Sequence, residues 1–392
     1  MITLTDVRND LRIRKEAESL ARSYDVSIVC HIESQPPGIT EYRGLRVINV
    51  RMRTRGLPKW PMFWTVKYAE FAWRAMRAAV RERAVVYHGH EITGCIPALI
   101  AARRRGAKFV YDAHELEADR AGFIEKSWWL RRVSLWCLRS VLRHADHVIC
   151  ASESRAKIML EEYGVRELPT PILNVTPRAG MPDLSMEGSA GIAPRVVVRD
   201  AGREIDLTGK RVVLYQGTLA AGRGLDRVVS ALCHLDQDIV LLVLGRGATF
   251  DALIAQSERE GTRNRLIMAG QVPADALAGY MRLAHLGLAI YRNTCRNNYY
   301  CAPNKIYEYA SVGLPVVGPN FPDVESVLIG RRIGRVFDPD DPPSIAKAIS
   351  EVFADPVLRA EMSRNALALK EQVNWEQQEE KLAGLYEGLL TC

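Results

Sequence analysis

The segment PNKIYEYASVGLPVVG, residues 303 to 318, places an ammonium and a carboxylate at the start of a short helix. Pro303 at a first helical position donates no hydrogen bond, Gly313 suits a C-terminal cap and Pro315 forbids continuation, so the spacing predicts about ten helical residues. A strand follows from Val316. At such a helix start the free N–H groups of Asn304 and Lys305 point outward at an anion, and the Lys305 ammonium adds charge. Glu308 lies one turn on along the same face, about 5.4 Å away. That is roughly the span from a diphosphate to the ribose it carries, so the carboxylate suits a sugar diol; the alternative is a surface ion pair between Glu308 and Lys305.

Other segments carry complementary chemistry. QGTLAAGRGLDRVVSAL follows a strand and opens a helix, with Gly217, Gly222 and Gly224 in the turn and Arg223 as a fixed cation, a pattern suited to anions. It is no P-loop, because Arg223 and Gly224 stand where Lys and Ser or Thr are required. VLGRGATF and MAGQVP add loops at Gly245 and Gly270. In the first half, YHGHEI and YDAHEL each end a buried strand with His and an acid. His114, flanked by Asp112 and Glu115, is the candidate polar contact to a reacting group, with His90 and Glu91 beside it. The eight cysteines are scattered, with no metal-ligand spacing among them.

These residues need a scaffold. Short β-branched runs alternate with amphipathic segments over residues 1–172 and again over 210–374, which predicts two doubly wound α/β domains with parallel sheets facing across a cleft. The first strand looks cropped, since only MITLT precedes a polar loop. Residues 173–209, rich in Gly and Pro, read as a linker and irregular entry. At 392 residues, 48% apolar, the chain suits two globular domains. Residues 1–170 hold 29 basic and 20 acidic residues, net +9, and the remainder is net −2, so the first half faces something anionic.

Two segments, 59–83 and 126–143, combine Trp with Lys and Arg in helical pattern. Trp60, Trp64, Tyr68, Phe71 and Ala75 form one stripe of the first. Either segment packs its aromatics into the core or lies on an anionic membrane or a lipid-linked acceptor. No apolar run reaches the roughly 18 residues of a membrane span. The expectation is a cytoplasmic protein, in peripheral contact with the inner membrane face, that binds no nucleic acid.

Taken together, NDLRIRKEAESLARSYDVSIV, YHGHE, VYDAHEL, ADHVICASES and PNKIYEYASVGLPVV, in this order, resemble the family 4 glycosyltransferases over essentially the whole chain. The resemblance implies a GT-B fold of two Rossmann-like domains and retaining transfer of a hexose-type unit. The donor is a nucleoside diphosphate sugar, the acceptor a saccharide or lipid-linked molecule, and neither cofactor nor metal is needed. By the same resemblance Gly217, Thr218, Arg223 and Gly224, with Pro303, Asn304 and Lys305, surround the diphosphate. Glu308 takes the ribose, and the loops at Gly245 and Gly270 frame the base. His114 sits by the transferred sugar, with His90, Glu91, Asp112, Glu115 and Tyr300 on the acceptor or donor-sugar side. His114, Arg223, Lys305 and Glu308 carry the catalysis. The last helix, 375–392, would cross back to the first domain. Tyr300 stands where the family places a second glutamate eight positions before Glu308, and Thr218 where many members place Arg. These departures admit an alternative, a non-catalytic GT-B subunit that binds nucleotide or glycan and positions a partner enzyme. A GT-B sugar-nucleotide epimerase is a further one, which would leave the Trp/Arg helices without a role.

Overall fold

The computed structural model describes residues 1–58, 60–120, 128–179, 197–200, 203–273 and 276–391. Lys59, residues 126–127 and most of the expected linker, 180–196, lie outside the described residues. The chain divides into two compact units, Met1–Asn174 with Gln377–Cys392, and Val175–Glu376.

The first unit carries β1 (Ser27–Cys30), β2 (Gly38–Tyr42), β3 (Leu45–Asn49), β4 (Val86–His90), β5 (Lys108–Ala113), β6 (His147–Cys150) and β7 (Thr170–Pro171). β4 to β7 pair in parallel in chain order, and β1 pairs in parallel with β3. The expected wholly parallel sheet is not found, because β2 runs antiparallel to β3. The reason is local: Arg43 and Gly44 both take positive φ, 53° and 78°, in a two-residue hairpin turn that leaves no chain for a crossover helix. The cropped first strand is reduced to Ile2, which bridges Val29 and Gly89 in parallel with both. Close packing follows: a Cβ at Gly94 would lie 2.2 Å from the Ile2 carbonyl oxygen. Where this strand stops, a cavity of about 750 Å³ opens beside Met1, Ser27 and Val86.

The second unit begins with an antiparallel hairpin, β8 (Val197–Asp200) and β9 (Arg203–Asp206), inside the stretch expected to be irregular. Asp200 ties it down by accepting from the Met268 N–H at 2.9 Å and from Arg263 at 2.7 Å. Then come β10 (Arg211–Gln216), β11 (Ile239–Leu244), β12 (Leu266–Gly270), β13 (Leu286–Leu288), β14 (Val316–Pro319) and β15 (Gly334–Phe337). Their order is β12-β11-β10-β13-β14-β15, all parallel, with the direction of winding reversing between β10 and β13. Every residue of β11 is buried, as a strand covered by helices on both faces must be. Ligands bind outside the carboxyl ends of strands at such a switch point.

The helix Trp375–Thr391 joins the first unit through its later residues. Gln378 accepts from the Leu173 N–H at 3.0 Å, and the buried Tyr386 hydroxyl meets His88 Nδ1 at 2.7 Å. In the helix Pro61–Glu82 only the later part of the expected stripe is core: Phe71 and Ala75 are buried, whereas Trp60 and Trp64 are 64% and 57% exposed. The helix Trp128–Leu142 buries Leu135, Leu138, Val141 and Leu142 and leaves Trp128 and Trp136 exposed. Among the described residues no helix is long and apolar enough to cross a membrane.

Candidate functional site

In the second unit, the carboxyl ends of β10, β11 and β12 and the helix Asn304–Ala310 enclose a cavity of about 460 Å³. It brings together Gly217, Thr218, Gly245, Asn304, Lys305 and Glu308 of the expected set. The helix has seven residues, not ten, and Pro303 is its N-cap rather than its first residue, because its ψ of 120° is extended. Gly313 takes a φ of 72° two residues beyond the Ser311 cap, so the turn starts earlier than the glycine suggests.

Glycine is required where two loops touch. Gly217 and Gly245 have φ of 134° and 145°, and a Cβ on Gly245 would lie 1.9 Å from the Gly217 carbonyl oxygen. A Cβ on Gly217 would lie 2.9 Å from the Lys305 Cε, so the lysine stem lies directly on the bare backbone. Gly270 anchors the rim from below, its carbonyl accepting from the Gly245 N–H at 2.7 Å. Gly224, φ 92°, caps the helix Leu225–Ala231.

The charges are held by aromatic rings. Lys305 Nζ lies 3.4 Å from the Tyr291 hydroxyl and 5.3 Å from that ring's centre, and the Arg223 guanidinium lies 4.4 Å from the same Tyr291 centroid. Burial alone would lower the Lys305 ammonium, but the Tyr291 and Tyr215 phenols carry it above the ordinary lysine value. It therefore stays charged. Glu308 is held by Gln216 at the end of β10, whose amide Nε2 donates to Oε2. The sequence reading missed Gln216, and also Tyr291, Arg246 and Gln271, which line the same cavity. The signal available for Gln216 was a polar residue closing an otherwise apolar strand immediately before the turn glycine. Tyr300 does not line this cavity; its ring packs edge-on against Tyr299 at 5.0 Å.

In the first unit, β4 places His88 and His90 on one face, two residues apart, and the register sets Asp112 of β5 beside His90. Asp112 Oδ2 lies 2.9 Å from both His90 Nδ1 and His114 Nε2. Arg12 donates to both Asp112 oxygens, at 2.8 and 3.2 Å, and to the Ile172 carbonyl at 2.6 Å. Burial alone would raise Asp112, yet Arg12 and His114 hold it well below the usual carboxylate value. For His114 the burial effect is opposed and outweighed by Asp112, which raises it. The placement of His90 and Asp112 on a ligand-facing side needs correction: they are 1% and 0% exposed, with Arg12 packed on both Asp112 oxygens and His90 between Asp112 and His114, while the His114 side chain keeps 14% exposure. Glu91, at φ 54°, and Glu115 flank Arg120, which reaches Glu115 at 2.7 Å and Glu91 at 4.0 Å. Arg12 and Glu16, both buried, belong to the NDLRIRKEAESL motif but were not singled out, since charged residues four apart on a helix ordinarily face water.

Two Rossmann-like units, one with a cavity lined by Lys305 and Glu308 at its switch point, define a GT-B protein. Residues 11–173 match the family described as "Glycosyl transferase 4-like domain", and residues 201–368 the one described as "Glycosyl transferases group 1". The chain belongs to the family 4 type of glycosyltransferases. It is 23% identical over 251 residues to a D-inositol 3-phosphate glycosyltransferase of Xylanimonas cellulosilytica, covering 63% of this chain but 58% of that relative. Among solved structures it resembles a sucrose-phosphate synthase from Thermosynechococcus elongatus, with a TM-score of 0.77, 17% identity and coverage of 100% and 98% of the two chains. Anabaena HepE in complex with UDP and glucose is similar at a TM-score of 0.73, 15% identity and coverage of 99% and 98%.

Proposed function

We propose that this protein transfers a hexose-type sugar from a nucleoside diphosphate sugar to a saccharide or lipid-linked acceptor, with retention and without a metal at the donor. The observation that carries this reading is the pairing of Lys305 and Glu308 on one short helix that lines the cavity. A charged Lys305, with Arg223 against Tyr291, suits the diphosphate and the charge that grows on it as the glycosidic bond breaks. The Glu308 carboxylate suits the ribose diol. Arg246, Gln271 and the Gly245 loop are assigned to the base, and His114 to the transferred sugar. A thermal-shift titration with UDP, GDP, ADP and dTDP tests the reading. Stabilisation by one of them, reduced in Glu308→Gln, supports it; unchanged nucleotide binding in the variant removes the ribose assignment.

The same reading includes peripheral contact with an anionic membrane through the first unit. It is supported by Trp60, Trp64, Trp128 and Trp136, all exposed, and by Arg77, whose guanidinium lies 4.7 Å from the Trp73 ring. Co-sedimentation with phosphatidylglycerol vesicles that persists in Trp64→Ser/Trp136→Ser would count against it.

A further inference from the structure

Beneath the Asp112 cluster lies a group of side chains that the proposed transfer does not use. Glu16, on the helix Leu11–Leu20, joins His88, His90 and Asp112, and one ligand atom from each lies within 4.8 Å of all the others. All four residues are at most 1% exposed. The Nε2 atoms of His88 and His90 and Glu16 Oε2 have no hydrogen-bond partner, and Glu16 Oε1 faces Arg12 as an ion pair only. Arg12, whose Nε lies 3.0 Å from Glu16 Oε1, is shared with Asp112, so two buried carboxylates face one cation and the imbalance calls for a second.

We propose that Glu16, His88, His90 and Asp112 form a closed structural site for a divalent transition metal of the zinc class. A tetrahedral zinc with bonds of about 2.0–2.2 Å sets its ligands roughly 3.4 Å apart. The distances from His88 Nε2 to Glu16 Oε2 and Asp112 Oδ2 are 3.8 and 3.9 Å, and those from His90 Nδ1 to the same two oxygens are 3.9 and 2.9 Å. The metal replaces the His90–Asp112 hydrogen bond, and His90 then carries its hydrogen on Nε2. Two imidazoles and two carboxylates are a zinc-type donor set. The surroundings orient the ligands: Tyr386 fixes His88 through Nδ1 at 2.7 Å, and Arg12 grips Asp112 while its Nε lies 3.0 Å from Glu16. Glu16 and Asp112 against Arg12 leave one negative charge for the cation to meet. Four protein ligands leave no open position, so the metal joins the first helix to β4 and β5 and takes no part in the donor chemistry.

The test is metal analysis and melting of the full chain purified without a histidine tag. About one equivalent of zinc, retained through dialysis and lost in both Glu16→Gln and His88→Gln, supports the site, together with a lower melting temperature after chelation. Glu16→Gln separates a metal from a merely buried acid, because a neutral amide relieves an unpaired buried carboxylate but destroys a ligand. Less than about a tenth of an equivalent after refolding with zinc chloride overturns the proposal. So does an unchanged or raised melting temperature in Glu16→Gln, or zinc content that the variant does not alter.

Discussion

Gln216 and Glu308 come from elements far apart in the chain and meet at the mouth of β10, where the Gln216 amide donates to the Glu308 carboxylate. This contact draws one carboxylate oxygen of the seven-residue helix toward the end of β10. The Gln216→Ala variant is expected to weaken nucleotide binding about tenfold, equivalent to roughly 1.4 kcal/mol, by removing this hydrogen bond to the Glu308 carboxylate. Gln216→Glu should do more, since it sets two carboxylates together. Calorimetric titration with the nucleotide that stabilises the protein measures both, and equal affinity in all three proteins removes the positioning role.

Gly245→Ala forces a Cβ onto the Gly217 carbonyl oxygen at a backbone angle that L-residues rarely adopt. The expected cost is about 2–3 kcal/mol. Scanning calorimetry should show the transition of the second unit lowered by roughly 5–10 °C and that of the first unit unmoved. A shift shared by both transitions would mean that the loop contact is not confined to the second unit.

Arg12→Met removes the cation from a wholly buried Asp112. Removing one partner of a buried pair typically costs about 3–5 kcal/mol, because the remaining charge is uncompensated. Here the first unit should lose stability, and nucleotide binding by whatever remains folded should be unaltered. Denaturant unfolding followed by the tryptophans of the first unit reports the loss.

Glu70 predicts an acid dependence. Burial alone would raise its carboxyl, but the Thr54 hydroxyl, the Arg53 and Thr54 N–H groups and Arg74 bring it down to about 2 from 4.5. A depressed acid contributes stability that is fully present above its unfolded value and is lost as pH falls toward the folded one, here between about 4.5 and 2. Glu70→Gln should cost about 1 kcal/mol at neutral pH. The difference between variant and parent should shrink below pH 4.5, and melts at pH 3 and pH 7 give the comparison.

The cavity at the switch point of the second unit was legible in outline because its markers are local. Pro303, Gly313 and Pro315 mark a helix between them though not its exact ends, and Lys305 and Glu308 share a face by periodicity alone. The residues that hold those groups were not legible. Gln216 and Tyr291 reach the helix through strand order, which brings the end of β10 beside the segment following β13. His88 and His90 were recognisable as neighbours on a strand face, yet Glu16 is distant in sequence, and only the helix packing brings it to them. β2 was not read as a strand for the opposite reason: its antiparallel return is decided by Arg43 and Gly44, two residues inside an alternation that otherwise reads as parallel.

The backbone of Met1 is already part of the sheet, since its carbonyl accepts from the Val29 N–H at 2.9 Å. Its ammonium donates to the Ser27 carbonyl at 2.7 Å, and burial lowers its pKa to about 5. A linker engineered ahead of Met1 would start beside the cavity that Ser27 and Val86 line. A purification handle there would be a graft into the sheet: a β-forming linker would extend the strand and a proline-rich one would wedge it open.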